Sequence, residues 1–414
     1  MISRLASCLF SVSVTILLST ASRADDVPNW PQWRGPDRSG VSRDKGLLKK
    51  WPEGGPRQVW KKTDIGKGFS SVSLGDGRLY TIGTRGDYEY VIALSLTNGE
   101  ELWAKSIGKA YKNSYGDGPR STPTVDQDRL YALGANGDLA CMYVKSGDTS
   151  WTMNILKEFG ASNIKWGISE SPLIDDVRVV VMPGAKDATL VALNKIDGSV
   201  VWKSKGLSDA ASYASGILAN VGGVKQAIYL TDAAAVGVKS DDGTLLWRNT
   251  RPANNVANCT TPIYRDGLAF ICSAYDTGGV LLRLTSKGGK THADEVYFTR
   301  DMMNHHGGAV LVGDYLYGFS NNTLTCLEFH TGKVRWKDHS VGKGSITAAD
   351  GMLYCLSETG IMGLVHASPD RYQEASRFSF KVKGGHSWAH PVVTGGRLYI
   401  RNGDEVTCYD VRAN

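Results

Sequence analysis

Residues 305–336 read HHGGAVLVGDYLYGFSNNTLTCLEFHTGKVRW, and their pattern decides the fold. An apolar run at 309–312 meets a Gly313-Asp314 turn, and an alternating run follows at 315–319. Asn321-Asn322 turns the chain again before a third run at 324–329. Thr331-Gly332 makes the last turn, and Trp336 stands four residues beyond that glycine. Short alternating runs joined by Asn, Asp and Gly turns predict an antiparallel meander. One such sheet cannot bury both its faces, so copies of it must stack.

The copies are marked by glycine and, four residues on, tryptophan: Gly99/Trp103, Gly147/Trp151, Gly198/Trp202, Gly243/Trp247 and Gly332/Trp336. Two further units end in Phe298 and Phe378 after insertions. Trp60 has no repeat in front of it, while residues 388–410 carry three runs and stop without a final aromatic. If residues 57–63 supply that missing strand, eight units result, with final aromatics 38 to 51 residues apart. Such a period fits blades set radially, and the split unit favours a closed ring over a capped solenoid. The expected fold is all-β: an eight-bladed β-propeller of four-stranded antiparallel blades, closed by an N-terminal strand that completes the C-terminal blade. The blades are expected at 68–107, 119–155, 168–205, 213–250, 258–300, 307–338, 343–380, and 386–410 with 57–63. The glycine supplies the positive φ of a tight turn, and the tryptophan fills the widening gap between blades.

The unit from Cys326 to Trp336, CLEFHTGKVRW, and that from Ala192 to Trp202, ALNKIDGSVVW, resemble the tryptophan-docking repeat of quinoprotein alcohol dehydrogenases. From residue 57 onward the chain resembles the PQQ-like β-propeller repeat family, which includes BamB-like outer-membrane assembly factors that share the eight-bladed form without the quinone. The resemblance is specific for fold and weak for function.

Ahead of the propeller, residues 1–24 read as a secretory signal peptide: Arg4, an apolar stretch at 5–18, and Ser22-Arg23-Ala24 before the cleavage point. The stretch is too short for a spanning helix, and Leu5-Ala6-Ser7-Cys8, which looks like a lipoprotein box, precedes the apolar region instead of following it. Residues 25–56, with NWPQWRGPD at 29–37, read as an extended strap that braces the propeller. Without Arg4 and Arg23, the 47 basic residues become 45 against 41 acidic, or +4, with no basic stripe. Neither nucleic acid nor an anionic membrane surface is suggested as a partner. An exported, soluble monomer of the periplasm or cell envelope is expected. Six cysteines remain after Cys8; Cys141, Cys326 and Cys408 hold one slot in different repeats, too far apart to bridge, and read as buried thiols.

The segments leading into each blade's first strand converge on one mouth, where functional side chains are expected. His306, His386 and His390 are the candidate metal ligands there, with Glu170 as the nearby carboxylate. His305 and His306 are not expected to point inward together from a strand. For a small ligand, Arg120, Trp166, Glu170, Asn258, Lys343 and Trp388 are the candidate lining residues. The resemblance implies two functions. One is a BamB-like binding or scaffold module with an envelope protein or peptide partner and no cofactor. The other is a PQQ-dependent dehydrogenase in which Trp166 or Trp388 stacks on the quinone, Glu170, Asn258 and Asp117 offer oxygen ligands to Ca²⁺, and Arg120 or Lys343 pairs with the quinone's carboxylates. No two cysteines are adjacent, so the vicinal disulfide of the alcohol dehydrogenases is missing. There is also no G-x-S-x-G, H-E-x-x-H or phosphate loop.

Overall fold

The structure, a computed structural model, describes residues 28–413; the signal-peptide expectation for 1–24 lies outside them. Eight four-stranded antiparallel sheets follow one another, each with its strands in sequence order except the last. In that one, Gln58–Lys62 pairs with Glu405–Asp410, aligning Trp60 with Cys408. The blades span 73–109, 124–154, 173–203, 217–249, 263–299, 309–338, 344–379, and 392–410 with 58–62. One short helix, Ile155–Phe159, is the only helix among the described residues, and none there is long and apolar enough to cross a membrane.

The repeat's glycine and tryptophan work across blades. A Cβ on Gly99 would lie 2.6 Å from the indole of Trp60, and Gly147, Gly198 and Gly243 stand likewise against Trp103, Trp151 and Trp202. Each glycine therefore seats the indole of the preceding blade, besides holding a φ of 71° to 77°. The same indoles donate to backbone carbonyls of the next blade: Trp60 to Leu96 at 2.9 Å, Trp202 to Ser240 at 2.8 Å. Opposite the tryptophan, on the third strand, stands a small residue: Ala93, Cys141, Ala192, Gly237, Cys326 or Cys408. The indole needs that space, which explains the repeated cysteine slot. All six cysteines from Cys141 to Cys408 are free thiols. In the fifth blade the structure corrects the expected aromatic. Tyr297, not Phe298, sits against Gly332 and donates its hydroxyl to Phe329 O at 2.9 Å.

The strap does more than brace one side. Asn29 N bonds Thr394 Oγ1, Trp30 O accepts from Leu74 N, and Pro31 O accepts from Val125 N. Trp33 Nε1 donates to Thr261 Oγ1, and Arg34 donates to Ala309 O. Arg38 donates to Ser171 O, Pro172 O and Gly216 O. Gly40 O and Ser42 N bond Ala348. These partners lie in or just before the first strand of every one of the eight blades. Since first strands run beside the axis, residues 29–42 fill the axial channel.

Candidate functional site

At the end where the lead-in segments converge lies a cavity of about 320 Å³. Its wall is largely aromatic: Phe69, Tyr115, Trp166, Tyr213, Tyr275 and Trp388, with His305, His306 and His390 among them. Trp33, from the strap that fills the axis, closes its inner end; it packs on His390 at 4.4 Å between centroids. The rings touch in a collar. Tyr115 meets Trp166, Trp166 meets Tyr213, and on the opposite arc Tyr275, His305, His306, Trp388 and Phe69 follow one another at 4.7 to 5.9 Å. Arg120 lies over Phe69 and Tyr111, its guanidinium donating to Gly116 O and Gly118 O. Burial lowers its pKa.

Of the residues expected from sequence, Arg120, Trp166, Trp388, His306 and His390 line this cavity. Glu170 does not: it is 1% exposed, accepts from Met182 N, and burial pushes it up to about 8 despite the charge of Arg38. Asn258 is also turned away. Its amide donates to Thr231 O, Asp232 O and Asn254 O, and its oxygen accepts from Asn254 N, so it pins two loops together. Lys343 does not line the cavity; its Nζ lies 3.2 Å from Glu358 Oε1. Calcium takes six to eight oxygen ligands. With Glu170 and Asn258 engaged elsewhere, the residues do not fit a calcium-bound quinone in the proposed arrangement.

The histidines are regrouped as well. His386 is exposed and stacks on Trp388 at 4.6 Å, and His390 Nε2 bonds the backbone oxygen of His306 at 2.8 Å. His305 and His306 both reach the cavity, because residues 304–308 precede the strand Ala309–Val312 and need not alternate. Their Nδ1 atoms are 3.3 Å apart, Tyr275 Oη is 2.9 Å from His305 Nε2, and Glu358 Oε1 is 3.6 Å from His306 Nε2. Trp388 Nε1 donates to that same carboxylate oxygen at 2.9 Å. Proton bookkeeping favours one arrangement. Tyr275 donates to His305, His305 donates from Nδ1 to His306, and His306 turns Nε2–H toward Glu358. The reverse order would set a bare ring nitrogen against a carboxylate. Burial holds the imidazoles neutral, lowering His305 to about 4 and His390 to about 3, and His306 well below its ordinary value. Neither Tyr275 nor Glu358 was among the expected residues, since both lie on turns between second and third strands.

Behind the loop that carries Tyr115 and Arg120, Glu89 is buried and accepts from Ala135 N at 3.0 Å and Tyr111 N at 3.4 Å. Burial pushes it up to about 7, against the pull of those amides and of Arg120. A carboxyl with a raised folded pKa contributes stability at low pH that is lost as pH climbs through the folded value. Going from pH 8 to pH 6 is therefore expected to add about 1 kcal/mol through this group. Urea unfolding of wild type and Glu89→Gln at both values isolates it; equal pH dependence in the two proteins refutes the assignment.

A family model described as outer membrane protein assembly factor BamB matches residues 87–338. The curated outer membrane protein assembly factor BamB of Shewanella oneidensis is 23% identical over 274 residues, which are 63% of this chain and 66% of that protein. The match thus spans just under two thirds of that relative. Among solved structures, BamB from Moraxella catarrhalis aligns with a TM-score of 0.62 and 14% identity over 86% of this chain and 98% of that one. Quinohemoprotein alcohol dehydrogenase from Comamonas testosteroni aligns with a TM-score of 0.65 and 13% identity over 95% and 82% of the respective chains. At such identities the structural likeness concerns the fold alone.

Proposed function

Because the chain belongs to the PQQ-like β-propeller family, under the description outer membrane protein assembly factor BamB, we propose that it is an exported, non-catalytic binding module of the cell envelope. Its partner is a protein or peptide whose side chains enter the aromatic mouth. The observation that carries this reading is the collar itself, closed at its inner end by Trp33. Tyrosine and tryptophan offer large apolar faces with a polar handle, and such side chains dominate the contact energy of protein interfaces. Tyr115 and Tyr275 stand at the rim, 60% and 43% exposed, where an incoming segment meets them first. Export follows from the signal-peptide reading of residues 1–24.

A photo-crosslinking residue placed at Tyr115 or Tyr275 in the intact cell tests the proposal. A discrete adduct with an envelope protein is expected from both positions, and it should vanish when Trp388→Ala opens the collar. Crosslinks arising only from a control position on the outer edge, Val201, refute a partner at the mouth.

A further inference from the structure

We propose that His305, His306 and Glu358 form a divalent transition-metal site in the wall of the funnel, a two-imidazole, one-carboxylate set of the kind zinc takes. One ligand atom from each of the three lies within 4.8 Å of the other two, and they are the one such His, Cys, Asp or Glu group among the described residues. Two ligands bound at about 2.0–2.1 Å to a tetrahedral ion stand roughly 3.3–3.5 Å apart. His306 Nε2 and Glu358 Oε1, at 3.6 Å, are already close to that separation. His306 Nε2 is also buried without a hydrogen-bond partner, and a metal there would replace the proton it turns toward the carboxylate, the ring keeping its one proton on Nδ1. His305 joins the shell by a turn of its ring, which is only partly buried.

The surroundings supply what a metal site needs beyond its ligands. Trp388 Nε1 holds the Glu358 carboxylate at 2.9 Å, and with a metal bound His305 would donate from Nε2 to the Tyr275 hydroxyl, 2.9 Å away, the reverse of the metal-free order, which frees Nδ1 to ligate. Partners of this kind orient ligands and fix the tautomer. Two imidazoles with one carboxylate suit zinc and its neighbours better than calcium or magnesium, which prefer oxygen. Three protein ligands leave the fourth position facing the cavity, where an anionic or carbonyl group of a bound molecule can take it. Lys343 now occupies the carboxylate, 3.2 Å from Oε1. Its side chain is 31% exposed and has solvent to withdraw into. The metal and this ammonium therefore compete for Glu358. The inference stands whether or not a protein partner uses the mouth.

That competition gives a test that misfolding cannot imitate. Chelator-washed mature protein is titrated with zinc by calorimetry, with bound metal counted after dialysis. One zinc per chain is expected. Glu358→Gln and His305→Gln should each weaken binding at least tenfold, whereas Lys343→Met should tighten it about threefold or more by removing a like charge. His386→Ala, outside the set, should leave affinity within twofold, and cobalt in place of zinc should give the visible absorption of a nitrogen-and-oxygen-ligated ion. Failure to bind zinc stoichiometrically, unchanged binding in Glu358→Gln, or weaker binding in Lys343→Met overturns the proposal.

Discussion

Replacing Arg38 with alanine is expected to lower folding stability by about 3–5 kcal/mol, read as a fall in the urea midpoint at unchanged slope. The guanidinium is buried and supplies bonds to Ser171 O, Pro172 O, Gly216 O and Gln32 Oε1. Burial has brought it down to about 10, still far above neutrality, so it carries its charge at pH 7. Truncation would strand the carbonyls of two adjoining blades on the axis, and a buried acceptor left without a donor costs about 1–3 kcal/mol. Lysine should not restore the loss. Its single ammonium cannot spread in one plane to carbonyls on separate blades. A loss below about 1 kcal/mol would show that the strap merely lies in the channel.

Arg401→Met is the second large effect, again about 3–5 kcal/mol, but with a local signature. Arg401 is 2% exposed and sits on the second strand of the last blade. It donates to Thr81 Oγ1 and Ile82 O at 2.6 Å, to Gly66 O at 3.0 Å and to Ser70 O at 3.2 Å, all in or leading into the first blade. The ring is thus closed twice at one seam, by the pairing of Gln58–Lys62 with Glu405–Asp410 and by this side chain. Hydrogen exchange in the variant should quicken at 58–62 and 78–85 while the fourth blade, 217–249, keeps its protection. Uniform loss across all blades would mean that Arg401 acts only through global stability.

The architecture was legible because it repeats. Gly332 and Trp336 recur with fixed spacing, and the stray Trp60 found its place as soon as residues 388–410 lacked a final strand. The cysteine slot was visible too, although its cause, a small residue opposite an indole, needed the registers of Cys141 with Trp151 and Cys326 with Trp336. The site was half legible. Lead-in segments were the right place to look for Arg120, Trp166 and His306. Because antiparallel strands alternate direction, the turn between second and third strands returns to the same end as the lead-in to the first. Glu358 and Tyr275 arrive by that second route. Glu170 and Asn258 failed for a different reason. In irregular segments no periodicity says which side chains face the opening and which bond the loops behind it. Trp33 belongs to the strap, outside the repeat, where no neighbouring unit supplies a register.

The strap's passage across all eight blades also bears on how the ring is made. Residues 29–42 and the strand Gln58–Lys62 come early in the chain, yet their seats include Thr394, Ala348 and Glu405–Asp410. Segments made before the blades must therefore wait for the last blade before they can settle. Such contacts between sequence-distant residues raise the contact order and slow the search. Meanwhile an unplugged ring exposes its axial carbonyls, and a last blade short of one strand offers an open edge to any passing chain. Assembly is therefore expected to finish in one late step, with the strap and the closing strand locking together once the C-terminal blade exists.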